Sequence, residues 1–464
     1  MQGEIGSFRD KVATVDKEGK RVWVFPTKPV GKLYNARKWL SVLYLLVFFT
    51  LPFIYWNGHP LFLINILERK FILFGQIFWP QDFFIFGLGM VVFIVFIALF
   101  TVVFGRVFCG WACPQTIFME MVFRKIEFWI EGDGAKQKLL AKAPWNTDKI
   151  LKKFGKWTIF WIVSFLIANT FLAYIIGVEQ LQKIITEPIG KHIGGFVAIV
   201  IFTTIFFGVY SWFREQVCTV VCPYGRMQGV LLDKNSIVVS YDHVRGEPRG
   251  KYKKTAERDL GDCIDCAQCV KVCPTGIDIR NGTQLECINC TACIDACNKM
   301  MLAVGFEEGL IRYASENNIT EKKPLRFTGR MKAYSGVMVA LLGVLIYLLA
   351  SRTDVGISIL RTPGQLYQQS NGQISNLYNY KFLNKTYIDK EIVLKPENFK
   401  GEIKLVGETK LKVPKEQYAR GSMFITLAES AVTKRKTQLQ IGVYEEGVKI
   451  RTITTSFLGP FAGN

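Results

Sequence analysis

The sequence predicts a polytopic α-helical membrane protein of five transmembrane helices, with a small cysteine-rich domain inserted and an all-β immunoglobulin-like domain at the C-terminus. Three observations predict it. There are five uncharged stretches of membrane-crossing length, the 12 cysteines fall into four tight groups, and the last roughly 110 residues switch to period-two alternation.

The uncharged stretches are Trp39–Trp56, Phe83–Gly105, Trp157–Gly177, Ile193–Phe213 and Ala333–Ser351, of 18, 23, 21, 21 and 19 residues. About 20 residues of helix cross a bilayer core. None of the five contains Asp, Glu, Lys or Arg, and Trp39, Trp56, Trp79, Trp157 and Trp212 sit at or near their ends, as an interfacial aromatic belt does. Buried core helices of a large soluble enzyme are the competing reading. Residues 1–38 hold no apolar core of signal-peptide length, so the first span reads as an anchor rather than a cleaved leader.

A net charge of +20 invites a nucleic-acid reading, but its distribution opposes it. Lys plus Arg number 9 in residues 1–38, 2 between spans one and two, and 10 between two and three. They number 2 between spans three and four and 18 between four and five. That alternation is the positive-inside pattern. It predicts a bacterial inner-membrane protein, with the lipid bilayer as partner and no nucleic acid. The 1–38 segment, the 106–156 loop and the 214–332 loop are then cytoplasmic. Residues 352–464 are periplasmic; a long exported domain can be basic, so its 17 positive charges are no objection.

In chain order, residues 1–38 form a cytoplasmic segment and 39–213 a four-helix membrane domain. Residues 214–257 carry a cysteine motif and a charged linker; 258–304 form the cysteine-rich insert, 305–332 a second linker, 333–351 the fifth helix and 352–464 the exported domain. The membrane part reads as a two-fold repeat. Each helical hairpin ends in C-x3-C-P, with Cys109 and Cys113 before Pro114 in one, Cys218 and Cys222 before Pro223 in the other. Proline is favoured at the first helical position. Cys113 and Cys222 are therefore expected at helix N-caps, where the dipole lowers a thiol pKa. Soft thiolates, with Met119, Met121 and Met227 nearby, select Cu(I). A copper site, a redox dithiol relay and cysteines that merely pack all remain open from the residues alone.

Cys263, Cys266, Cys269 and Cys273 stand as C-x2-C-x2-C-x3-C, and Cys287, Cys290, Cys293 and Cys297 repeat the spacing. A 4Fe–4S cube takes four thiolates, and in bacterial-type two-cluster ferredoxins the fourth cysteine of each run ligates the other cluster. One cluster is thus expected on Cys263, Cys266, Cys269 and Cys297, the other on Cys287, Cys290, Cys293 and Cys273. Structural zinc favours two separated C-x2-C pairs. Pro274 completes the ferredoxin pattern after Cys273, whereas Asn298 departs from it after Cys297.

After Ser351 come short alternating runs such as Met423-Phe424-Ile425-Thr426-Leu427, the mark of an antiparallel sandwich. This tail has no cysteine, which suits thiolate ligands kept on a reducing side. The only histidines, His59, His192 and His243, lie outside the spans, so a membrane b-type haem is not expected.

Together these residues resemble the cytochrome c oxidase accessory proteins of the CcoG/FixG/RdxA type over nearly the whole chain. The similarity lies in Phe78-Trp79-Pro80-Gln81-Asp82-Phe83, Arg106 to Thr116, Ile130-Glu131-Gly132-Asp133, Ala143-Pro144-Trp145 and Cys218 to Arg226, with the cysteine runs and the exported tail. The resemblance implies a membrane ferredoxin-type oxidoreductase that reduces Cu(II) to Cu(I) for assembly of a cbb3-type oxidase. It also implies two 4Fe–4S clusters, copper as substrate held by Cys109, Cys113, Cys218 and Cys222, an external electron donor, and copper-handling or oxidase-assembly partners. The alternatives are a quinol-oxidising subunit feeding an exported reductase and a non-catalytic copper carrier.

Overall fold

The computed structural model describes residues 13–16, 18–56, 58–66, 70–79, 82–252, 259–324, 326–364, 366–370, 372–407, 411–432 and 434–460. Pro80 and Gln81, residues 253–257 of the first linker and residue 258 at the start of the insert lie outside them. Among the described residues five helices are long and apolar enough to cross a membrane. They are α1 (Lys32–Phe53), α2 (Phe83–Phe104), α3 (Thr147–Ile176), α4 (Ile193–Phe213) and α5 (Gly329–Ala350). The expected spans are all there, but α1 starts at Lys32 rather than Trp39 and α3 at Thr147 rather than Trp157. A lack of charge marks hydrocarbon depth, not the helix start. The start of α3 is set by Asn146, whose side chain accepts the Lys149 N–H at 2.9 Å, and its end by Gly177 at φ +85°.

The chain divides into two compact units. The first comprises residues 1–54 and 89–343. Here α3 and α4 form a hairpin whose connecting helix Val178–Thr186 buries Leu181 against Leu172, Ala173 and Ile199. Beside it, Phe123 stacks on Tyr210 at 4.4 Å and meets Phe160 edge-on at 4.8 Å. That aromatic layer ties the segment after the first C-x3-C-P motif to α3 and α4.

The cysteine runs share a core with Val239, Tyr241 and Ile311, from two short antiparallel strands, Val238–Tyr241 and Ile311–Ala314, and with Leu310 just before the second. The insert is anchored on the first span. The Asp295 carboxylate accepts the N–H groups of Leu33 and Tyr34 at 3.2 and 2.8 Å, a helix-start cap supplied from far along the chain. Nothing larger than glycine fits at Gly31, where an added Cβ would stand 2.1 Å from Asp295 Cγ. The N-terminal segment runs between these parts. The Thr27 N–H donates to the Lys271 carbonyl at 2.9 Å, and that of Lys28 to Asp133 at 2.7 Å.

The second unit comprises residues 55–88 and 344–464. Its strands are β1 (Val355–Arg361), β2 (Gln368–Ser370), β3 (Gln373–Asn384), β4 (Lys390–Pro396), β5 (Gly401–Leu405), β6 (Leu411–Val413), β7 (Tyr418–Ala428), β8 (Lys436–Glu445) and β9 (Val448–Leu458). One antiparallel sheet has the order β5-β7-β3-β1, with β2 also on β3; the other is β6-β4-β8-β9. Alternate residues of the facing strands, among them Tyr378, Phe382, Met423, Ile441 and Phe457, fill the space between them. This is the immunoglobulin-like sandwich that the alternation predicts. A three-stranded sheet from Phe62–Asn65, Lys70–Leu73 and Gln76–Phe78, between α1 and α2, belongs to the same unit.

Candidate iron–sulfur and thiolate centres

The two cysteine runs take up one backbone shape twice. The second and fourth residues after the first cysteine are left-handed in both: Asp265 and Ala267 at φ +51° and +54°, Asn289 and Thr291 at +52° and +65°. None is glycine, and Thr291 is β-branched, so the conformation is costly and must be held by its surroundings. Alternation of right- and left-handed residues curls the main chain so that successive N–H groups converge, the concavity in which many Fe–S sites lie. Backbone N–H groups of Thr275, Gly276 and Ile277 meet Cys273, that of Asn289 meets Cys287, and that of Ala292 meets Cys290.

Two enclosed hollows follow. One is bordered by Cys263, Cys266, Cys269 and Cys297. The other is bordered by Cys287, Cys290, Cys293 and Cys273, with Cys269 on the wall between them. Each hollow is thus bordered by the first three cysteines of one run and the last cysteine of the other. Among the described residues no three His, Cys, Asp or Glu side chains gather closely enough to hold a single metal ion. Four thiols around an apolar hollow suit the corners of a cube. Burial pushes Cys269, Cys287 and Cys297 each up to about 12 and Cys290 to about 11, so these thiols are protonated until a metal centre displaces the protons. The residues present therefore fit two 4Fe–4S clusters. Replacing Cys297 by serine should leave about four iron atoms per chain on the Cys287 set, and Cys273→Ser about four on the Cys263 set, read by iron analysis and EPR. Loss of all iron, or of the same signal in both variants, would refute the crossed assignment.

At the membrane edge, Cys113 and Cys222 are both N-caps with proline next in the chain, as the motif predicts. The predicted lowering of the Cys113 pKa does not follow. Burial raises it, and the Thr116 and Gln115 N–H groups offset only part of that. Burial likewise pushes Cys218 up to about 12. The two motifs meet: Cys109 and Cys222 oppose ionisation of Cys113, and Cys113 and Cys109 oppose that of Cys218. Met119 and Met121 are buried, Met119 against Phe118 and Phe123, and Met227 is exposed, so packing accounts for the first two.

The thiol quartet touches the cluster-binding loops. Cys109 is buried with Val272, Ile288, Cys290 and Ala292. Gly110 lies so close to the second run that a Cβ there would stand 2.4 Å from the Ile288 carbonyl oxygen. The Gln228 amide donates to Cys109 Sγ at 3.3 Å. Arg106 offsets burial at both Cys218 and Cys287, so one guanidinium serves a thiol of each centre.

Sequence reasoning missed a buried ion network that lies close in the chain to the second motif. Arg214, just past α4, grips Glu127 through two bonds of 3.0 and 2.9 Å. Lys156 reaches Glu127 at 3.5 Å and Glu131 at 2.9 Å, while Arg124 pairs with Glu120 at 3.0 Å. Glu127 and Glu131, one helical turn apart and followed by an Arg-Glu pair just beyond a span, were the available signal.

Comparison with known proteins agrees with this architecture. A family model described as "4Fe-4S dicluster domain" matches residues 213–316, one described as "4Fe-4S binding domain" matches 86–132, and one described as "IG-like fold at C-terminal of FixG" matches 345–460. Protein RdxA of Cereibacter sphaeroides is 32% identical over 95% of this chain and 98% of its own length. Protein RdxB of the same organism is 34% identical over 79% of this chain and 80% of its own. Nitrogen fixation protein FixG of Rhizobium meliloti is 34% identical over 79% and 77%. A crystal structure of a FixG-related protein from Vibrio parahaemolyticus matches 23% of this chain and 94% of that one, at 20% identity and a TM-score of 0.20.

Proposed function

The chain belongs to the FixG/RdxA family of membrane iron–sulfur electron-transfer proteins, and from that premise we propose that it reduces Cu(II) to Cu(I) at the Cys109, Cys113, Cys218 and Cys222 quartet. The product supports assembly of a cbb3-type oxidase. The observation that carries the proposal is the burial of Cys109 against Cys290 and Ile288: the quartet and the second cluster-binding run are in contact. Clusters held by Cys263, Cys266, Cys269 and Cys297 and by Cys287, Cys290, Cys293 and Cys273 would supply single electrons, one for each Cu(II) reduced. The protein's own part is to bring two pairs of soft donors to one membrane edge, with Cys109 buried and Cys113, Cys218 and Cys222 half-buried. Two thiolates suffice for Cu(I), and their softness favours the reduced ion over Cu(II). The charge alternation supports placing this unit's loops in the cytoplasm and the sandwich in the periplasm.

A second reading has its own support, since the 4Fe–4S model over residues 86–132 includes Cys109 and Cys113. On that reading the quartet holds a third cluster. Metal analysis of anaerobically purified protein separates the two. The copper reading expects about eight iron atoms per chain, with Cu(I) appearing on a chelator when the dithionite-reduced protein meets Cu(II). About twelve iron atoms and no Cu(I) would discard it.

A further inference from the structure

We infer that the second unit carries a phosphate-binding site for the headgroup of an anionic phospholipid. A cavity of about 540 Å³ lies within this unit. Its apolar wall comes from the ends of two candidate membrane spans, Phe84 and Ile85 at the start of α2 and Leu348 at the end of α5. The rest of the lining is cationic. Arg352, Lys381, Lys385 and Arg451 line the cavity, and among the described residues Asp82 is the one carboxylate in the lining.

Asp82 is already engaged, by Arg352 at 3.0 Å and Lys385 at 2.6 Å. Those contacts neutralise about one positive charge and leave the cavity strongly positive. Arg352 is held in place: it lies over the Phe78 ring at 4.7 Å and donates to the Ile77 carbonyl. Yet its buried Nε has no hydrogen-bond partner, although a guanidinium is built to use every N–H. Lys381 lies 4.3 Å over Tyr418, and Arg451 is exposed at the rim.

The chemistry that fits is an anion with phosphate-like acceptors. The apolar wall at two span ends adds a requirement that a free ion does not meet. A phosphodiester among the cations with acyl chains along Phe84, Ile85 and Leu348 satisfies both halves of the cavity. A zwitterionic headgroup brings a cation of its own into a positive site, so anionic lipid is preferred.

The test uses the full-length protein in neutral detergent, titrated with short-chain phosphatidylglycerol, short-chain phosphatidylcholine or inorganic phosphate and read by calorimetry. Phosphatidylglycerol should bind about tenfold tighter than phosphatidylcholine, with inorganic phosphate weaker still. The double variant K381Q/R451Q, which leaves the Asp82 pairs intact, should lose that preference while its visible cluster absorbance stays unchanged. Should it fold poorly, Arg451→Gln alone, at an exposed position, should still narrow the gap. Equal binding of the two lipids, or a preference that survives in the variants, overturns the site. Inorganic phosphate matching phosphatidylglycerol overturns the lipid as its occupant.

Discussion

Replacing Cys113 and Cys222 together by serine should lower Cu(II) reduction about a hundredfold or more, while iron content and the ferredoxin-type EPR signals stay as in the wild type. Together the two substitutions remove one soft ligand from each motif and put serine, a favoured N-cap residue, before Pro114 and Pro223, so both helices still begin there. The fold therefore has little reason to change, and the eight cysteines around the two hollows are untouched. Dithionite-reduced protein and a Cu(I) chelator supply the rate; iron analysis supplies the control. Iron falling by about one third would place a third cluster on the quartet instead. Unchanged reduction would move copper elsewhere in the chain.

Much of this was legible in the sequence because its signals are local. Two runs of one spacing define two loops, and their left-handed residues recur at the same offsets, 265 and 267 against 289 and 291. Span positions follow from charge-free length, and the sandwich from alternation. What was hidden is contact between segments far apart in the chain. No spacing shows that Gly110 must be small for the Ile288 carbonyl, or that Asp295 caps the helix beginning at Lys32. The Cys113 thiol illustrates a different limit. Its place at a helix N-terminus was readable, but burial, which depends on everything packed around it, decided the direction of its pKa.

Glu127→Gln should destabilise the first unit by about 3–5 kcal/mol, the loss expected when one partner of a buried ion pair is removed. Glu127 is 1% exposed, and burial alone would raise its carboxyl. Arg214, Lys156 and Arg124 outweigh that and hold it below the usual range. Glutamine keeps the shape but leaves the Arg214 guanidinium, 3% exposed, without its bidentate anion. The pH dependence has a definite sign. A depressed carboxyl pKa contributes stability above the unfolded value of about 4.3, and that contribution is lost as pH falls through the native value. Wild type and variant should therefore converge on acidification, measured by denaturant unfolding in detergent with cluster absorbance as the reporter. Because Arg214 stands four residues before Cys218, the variant should also loosen the second motif and slow copper reduction at neutral pH. A variant within about 0.5 kcal/mol of wild type at pH 7 would show that the network is surface-like in strength and does not brace the quartet.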